Sequence, residues 1–126
     1  MEGPNEGRRW VSQMKILLLD DVMFEVVVPW LEARGHVVDT AVNSWEARTL
    51  YEKSGPYDLV LTDVDHPGMN GIDLAAAIRR LNPAQHIGVL TTYYVPQYPT
   101  LVKPFFREAL LKFVDSFASG VKSAAM

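Results

Sequence analysis

Three carboxylates, a hydroxyl and an ammonium stand in this chain at places where apolar runs stop. KILLLD ends on Asp20, with Asp21 next; DLVLTD ends on Asp63; IGVLT ends on Thr91; and TLV is followed by Lys103. Carboxylates crowded within several ångströms repel one another, so either their proton affinities rise or a hard cation joins them. Magnesium suits such a set: it takes a few carboxylate or carbonyl oxygens, keeps several waters and completes its octahedron with a phosphate. Manganese shares that preference for oxygen. Lys103 and Thr91 would then give phosphoryl transfer its positive charge and its donor on the equatorial oxygens. In that chemistry Asp63 is placed to attack phosphorus.

Each piece also has a plainer reading. An acidic pair after a strand complements the dipole of the next helix. In TDVDHPGMNGIDL, Asp63 precedes Pro67-Gly68 and Asn70-Gly71, which are turn residues. A threonine ending a strand reflects β propensity, and a Lys-Pro pair is ordinary surface. Four such accidents in one order are harder to accept than one shared purpose.

To bring these residues together the chain must fold as alternating strands and helices. Lys15 to Asp20 and Asp58 to Asp63 are short continuous apolar runs, the pattern of strands buried on both faces. His36 to Ala41, Ile87 to Thr91 and Thr100 to Val102 read as three more strands. A helix is expected from about Val22 to Arg34, stopped by Gly35 and disturbed by Pro29 through a kink or a late start. A second runs from Trp45 to about Lys53, with Ser44 as its N-cap and Gly55-Pro56 closing it. A third spans Gly71 to Leu81 with Leu74, Ile78 and Leu81 on one face, and the last spans about Phe106 to Ala118 with Leu110, Phe113, Val114 and Phe117 inward. This alternation predicts a parallel sheet with helices on both faces, which binds ligands outside the carboxyl ends of its strands.

With 126 residues the chain fits one domain, spanning residues 14–119 between an N-terminal tail (1–13) and a C-terminal tail (120–126). It lacks cysteine, which excludes disulfides and zinc-thiolate sites. MEGPNEGRRWVSQ has no apolar h-region and no run approaches a membrane span, so a cytoplasmic protein without membrane contact is expected. A net charge of −3 argues against direct binding of nucleic acid. His36, His66 and His86 read as loop or surface residues, and Trp30 and Trp45 as core or helix-surface packing.

The constellation resembles the response-regulator receiver domain of two-component signalling, over about Lys15 to Ala118. The resemblance rests on LLLDD, on YDLVLTDVDHPGMNGIDL, on LTT and on LVKPF, in that order. It implies a flavodoxin-like doubly wound α/β fold with strand order 2-1-3-4-5. By position, Asp63 matches the phosphoacceptor, Asp20 and Asp21 the magnesium-binding acids, and Asp65 the residue whose main-chain carbonyl helps hold the metal. Thr91 matches the switch hydroxyl, with Thr92 as the alternative, and Lys103 the phosphate-contacting lysine. Asp65 and Tyr93 occupy places that tune the lifetime of the modified state, and Pro104 the place of a proline preceded by a cis bond. The partners implied are a histidine kinase or histidine phosphotransfer protein, and the protein would be a phosphoacceptor rather than a turnover enzyme.

Departures from the family are as informative. Thr92 replaces a small residue, and Thr100 stands where the family has its switch aromatic, with Tyr93, Tyr94 and Tyr98 nearby but out of register. Eleven residues, Thr92 to Val102, separate Thr91 from Lys103, and about three of those are strand. A crossover with a helix needs roughly a dozen or more, whereas eight extended residues span ~26 Å and return to the sheet without one. The family's fourth helix is therefore expected to be absent or reduced to a turn. The apolar sheet surface this uncovers would be closed by the tyrosine-rich loop, by a partner or by a second copy in a homodimer. Two rival readings remain: a magnesium-dependent DxD enzyme of haloacid-dehalogenase-like or Toprim type, built on Asp63-Val64-Asp65, and a pseudo-receiver that only scaffolds.

Overall fold

The computed structural model describes residues 13–20, 24–65 and 71–125, apart from the side chains of Phe24 and residues 119–125. The elements run β1 (Lys15–Leu19), α1 (Phe24–Ala33), β2 (Val37–Ala41), α2 (Ser44–Ser54), β3 (Leu59–Asp63), α3 (Gly71–Leu81), β4 (Ile87–Thr91), β5 (Thr100–Val102) and α4 (Arg107–Ala125). All strand pairs are parallel, in the order β2-β1-β3-β4-β5. The order reverses between β1 and β3, which leaves a crevice outside their carboxyl ends.

Period-two alternation divides the apolar runs between two cores. Ile16, Leu18, Leu59, Leu61 and Leu90 point to one face, where Val27 and Leu31 of α1 and Leu110, Val114 and Phe117 of α4 cover them. Leu17, Leu19, Val60 and Ile87 point to the other, against Ala47 of α2 and Leu74, Ala75 and Ile78 of α3. β1, β3 and β4 are thus sealed on both sides, so their sequences show no polar alternation.

β4 passes to β5 without a helix: residues 92–99 form bends and a turn. The loop itself closes the gap. Val95 is buried, and Tyr98 packs on the second core beneath the Arg79 guanidinium, 5.5 Å from the ring centroid. Arg79 is aimed by donating through Nε to the Gln85 carbonyl at 3.0 Å. The Thr100 hydroxyl knits the loop, accepting from Val95 N and donating toward the carbonyls of Val95 and Tyr98.

Several local expectations are corrected. The α2 N-cap is Asn43, not Ser44: its Oδ1 accepts from Glu46 N at 2.7 Å, while Glu46 Oε1 accepts from Val42 N, a reciprocal cap that Ser44, one residue inside, cannot make. α1 runs through Pro29 instead of starting late; Glu25, whose carbonyl loses its helical partner to that proline, is exposed, where water can satisfy it. α1 stops as expected at Gly35, with φ +92, the left-handed region. Leu81, expected on the inner face of α3, is exposed. α4 continues to Ala125 through residues expected to be tail, because Gly120 weakens a helix without removing a hydrogen bond and no proline follows.

His36 is likewise not a surface residue. It is 3% exposed, and its Nδ1 accepts from Met14 N at 3.0 Å, joining the start of β1 to the approach of β2. A backbone donor outside the β1–β2 ladder needed an acceptor, and a neutral imidazole supplies one. Of the two alternatives expected for the tryptophans, Trp30 packs against the first core, and Trp45 lies on the surface of α2, largely exposed. His66 lies outside the described residues.

Candidate functional site

The parallel register builds the rim of the sheet. Asp20 follows β1, is fully buried, and is held by its N–H donating to Ala41 O. Asp63, the last residue of β3 and 2% exposed, pairs with Leu90 of β4, so Thr91 lies one step further along the neighbouring strand. Thr91 in turn pairs with Val102, and Lys103 N donates to Thr91 O at 2.7 Å. Sequence positions up to 83 residues apart are thereby brought to one edge.

The side chains meet there. Lys103 Nζ lies 3.0 Å from Asp63 Oδ1 and 3.4 Å from Asp65 Oδ2. Asp63 Oδ1 also accepts from Asp65 N at 2.9 Å. Asp65 Oδ1 accepts from the Thr91 hydroxyl at 2.7 Å and from the Thr92 hydroxyl at 3.3 Å, and Thr91 Oγ1 accepts from Tyr93 N at 3.3 Å. The Lys103-Pro104 peptide bond is cis. α3 starts hard against the site: a Cβ at Gly71 would lie 2.6 Å from both Asp63 O and Thr62 Oγ1, so no other residue fits without a shift.

Electrostatics follow the geometry. Burial alone would lower the pKa of Lys103, but the hydrogen bond and charge of Asp63, then the charges of Asp20 and Asp65, outweigh it and hold the ammonium above its ordinary range. Burial alone would raise Asp65; the Thr91 hydroxyl, the Thr92 backbone N–H and Lys103 outweigh it and hold that carboxyl below its ordinary value. Among the described residues the site is a compact acidic set around one ammonium.

The family model for the response regulator receiver domain matches residues 16–115. This chain belongs to that family. The sensor histidine kinase AruS of Pseudomonas aeruginosa is 36% identical over 102 residues, which is 76% of this chain and 10% of that protein. The chemotaxis response regulator CheY4 of Vibrio cholerae is 28% identical with a TM-score of 0.75, covering 84% of this chain and 99% of that one. The response regulator TrrA of Thermotoga maritima, solved in complex with Mg(2+)-BeF, is 32% identical with a TM-score of 0.73, covering 82% of this chain and 97% of that one. The chain spans 10% of the length of the first curated relatives it matches. It is a receiver domain of the two-component type, with the helix between β4 and β5 missing.

Of the residues singled out by sequence, this receiver domain brings Asp20, Asp63, Asp65, Thr91, Thr92 and Lys103 to one rim. Tyr93 joins through its backbone while its ring is exposed. Asp21 lies outside the described residues, as do residues 66–70. Among the described residues no three His, Cys, Asp or Glu side chains are arranged to hold a metal ion by themselves. The donors present nevertheless fit a hard cation in kind: all are oxygens, at least two from carboxylates at adjacent strand ends, with Asp21 next in the chain. Sequence reasoning missed Gly71 and Thr100. Asn70-Gly71 gave a turn signal without showing what the glycine abuts, and Thr100 stood out only as a departure from the switch aromatic, without a sign of its bonds to Val95 and Tyr98.

Proposed function

We propose that this receiver domain accepts a phosphoryl group on Asp63 from the phosphohistidine of a histidine kinase or phosphotransfer protein. The observation that carries this reading is the Lys103 ammonium 3.0 Å from Asp63 Oδ1, with Asp20 and Thr91 at the same rim. Asp63 Oδ1 already accepts from Lys103 and from Asp65 N, so Oδ2 is the attacking oxygen. As the Oδ2–P bond forms in line, the P–N bond breaks and its electron pair returns to the imidazole nitrogen. Lys103 and the Thr91 hydroxyl then bind the new oxygens. Asp20, Asp21, Asp63 and the Asp65 main-chain carbonyl would hold Mg2+ or Mn2+, which when bound supplies neutralisation of the phosphoryl charge. The exchange of partners at Thr91 moves the β4–β5 loop, whose exposed Tyr93 and Tyr94 lie on the surface that a target or a second copy reads.

The protein is stoichiometrically modified rather than a turnover enzyme, and it acts in the cytoplasm. Intact mass after treatment with acetyl phosphate and magnesium tests the reading. Wild type gains the mass of one phosphoryl group and Asp63→Asn gains none; an unmodified wild type rejects it, and steady hydrolysis of a generic phosphate ester transfers the case to the DxD enzymes.

A further inference from the structure

Asp65 stands where a carboxylate meets the two donors that the modified site needs. Its Oδ1 takes the Thr91 hydroxyl at 2.7 Å, its Oδ2 lies 3.4 Å from Lys103 Nζ, and the Thr92 hydroxyl adds a third contact at 3.3 Å. A hydroxyl has one proton to donate. While Thr91 donates to Asp65 it cannot donate to a phosphoryl oxygen on Asp63. Lys103 divides its attraction between Asp63 and Asp65. The same hydroxyl accepts from Tyr93 N, so its orientation is passed directly into the loop that replaces the missing helix.

We infer that the Asp65 carboxylate is a built-in anion lock, occupying the Thr91 hydroxyl and the Lys103 ammonium in the unmodified domain, so that an arriving phosphoryl group must displace it. The inference rests on the reading of Asp63 as phosphoacceptor and adds how that site is restrained. Asp65 is thus a positioning residue: it holds Thr91, and through Thr91 the turn at Tyr93, in the resting arrangement. An incoming dianion competes with Asp65 for the same protons and repels its charge, so binding at Asp63 and release of Asp65 are one event. The resting lock lowers affinity for the phosphoryl group and makes the loop's response to it sharper.

The test measures binding of beryllium fluoride, with magnesium in excess, to the full chain carrying Asp65→Ala, Thr91→Ala or both, alongside wild type. Loss of a charge-assisted hydrogen bond that competes with the ligand should tighten binding by about tenfold in Asp65→Ala. With Thr91→Ala already present, the same change should gain less than about threefold, because the shared hydroxyl is gone. Without any analogue, the Tyr93 amide resonance of Asp65→Ala should move toward its position in analogue-saturated wild type. An equal gain in both backgrounds reduces Asp65 to simple charge repulsion and overturns the lock, as does no gain or an unmoved Tyr93 resonance. Wild type that binds no beryllium fluoride removes the phosphoacceptor reading and the lock together, whereas binding without coupling removes the lock alone.

Discussion

At the scale of single residues, the Lys103–Asp63 pair decides whether the rim is tolerable without a ligand. Asp63 is 2% exposed and Lys103 stands 3.0 Å from it, with Asp20 and Asp65 adding to the same field. Lys103→Ala leaves a buried carboxylate uncompensated, and urea unfolding in EDTA should show a loss of about 2–4 kcal/mol. Lys103→Ala combined with Asp63→Asn should recover a large part of it. His36 sets a second residue-level expectation. Burial lowers its pKa, against the raising effect of Asp115 and Asp58 and with the lowering effect of Arg34. The folded state therefore favours the neutral ring, which gives full stability above the unfolded value of about 6.5 and loses it as pH falls from there through the folded pKa. Urea midpoints at pH 7.5 and 5.5 should differ more in wild type than in His36→Gln, whose amide oxygen can still accept from Met14 N.

At the scale of elements, the short β4–β5 connection replaces a helix by side chains. Tyr98 fills space on the second core, Arg79 lies over its ring, and Thr100 closes the loop on itself. Because Tyr98 is only half-buried, Tyr98→Ala should cost about 1–2 kcal/mol, read from the thermal midpoint. Tyr94→Ala, at a position 67% exposed, should leave that midpoint unchanged within about 0.5 kcal/mol. Equal effects of the two changes would mean that the loop does not act as a cover.

At the scale of the whole molecule, the acidic rim makes stability a function of divalent cation. A ligand that binds the folded state alone stabilises by mass action, about 2.7 kcal/mol at a hundred times its dissociation constant. The thermal midpoint of wild type should rise with magnesium, and that rise should be lost or strongly reduced in Asp20→Asn and Asp63→Asn. A magnesium response of wild-type size in both variants would place the cation elsewhere on the protein.

Much of this architecture was legible in the order of residues. Continuous apolar runs ending in charge mark β1 and β3, because strands buried on both faces show no polar alternation, and eleven residues between Thr91 and Lys103 leave no room for a helix. Those are local or chain-length constraints, and they need no partner to be read. The direction of the Asp65 carboxylate, the burial of His36, the choice of Asn43 over Ser44 as cap and the knot at Thr100 were decided only in three dimensions. Each depends on which donor or acceptor from another segment arrives within about 3 Å, a hydrogen-bond distance no spacing along the chain encodes.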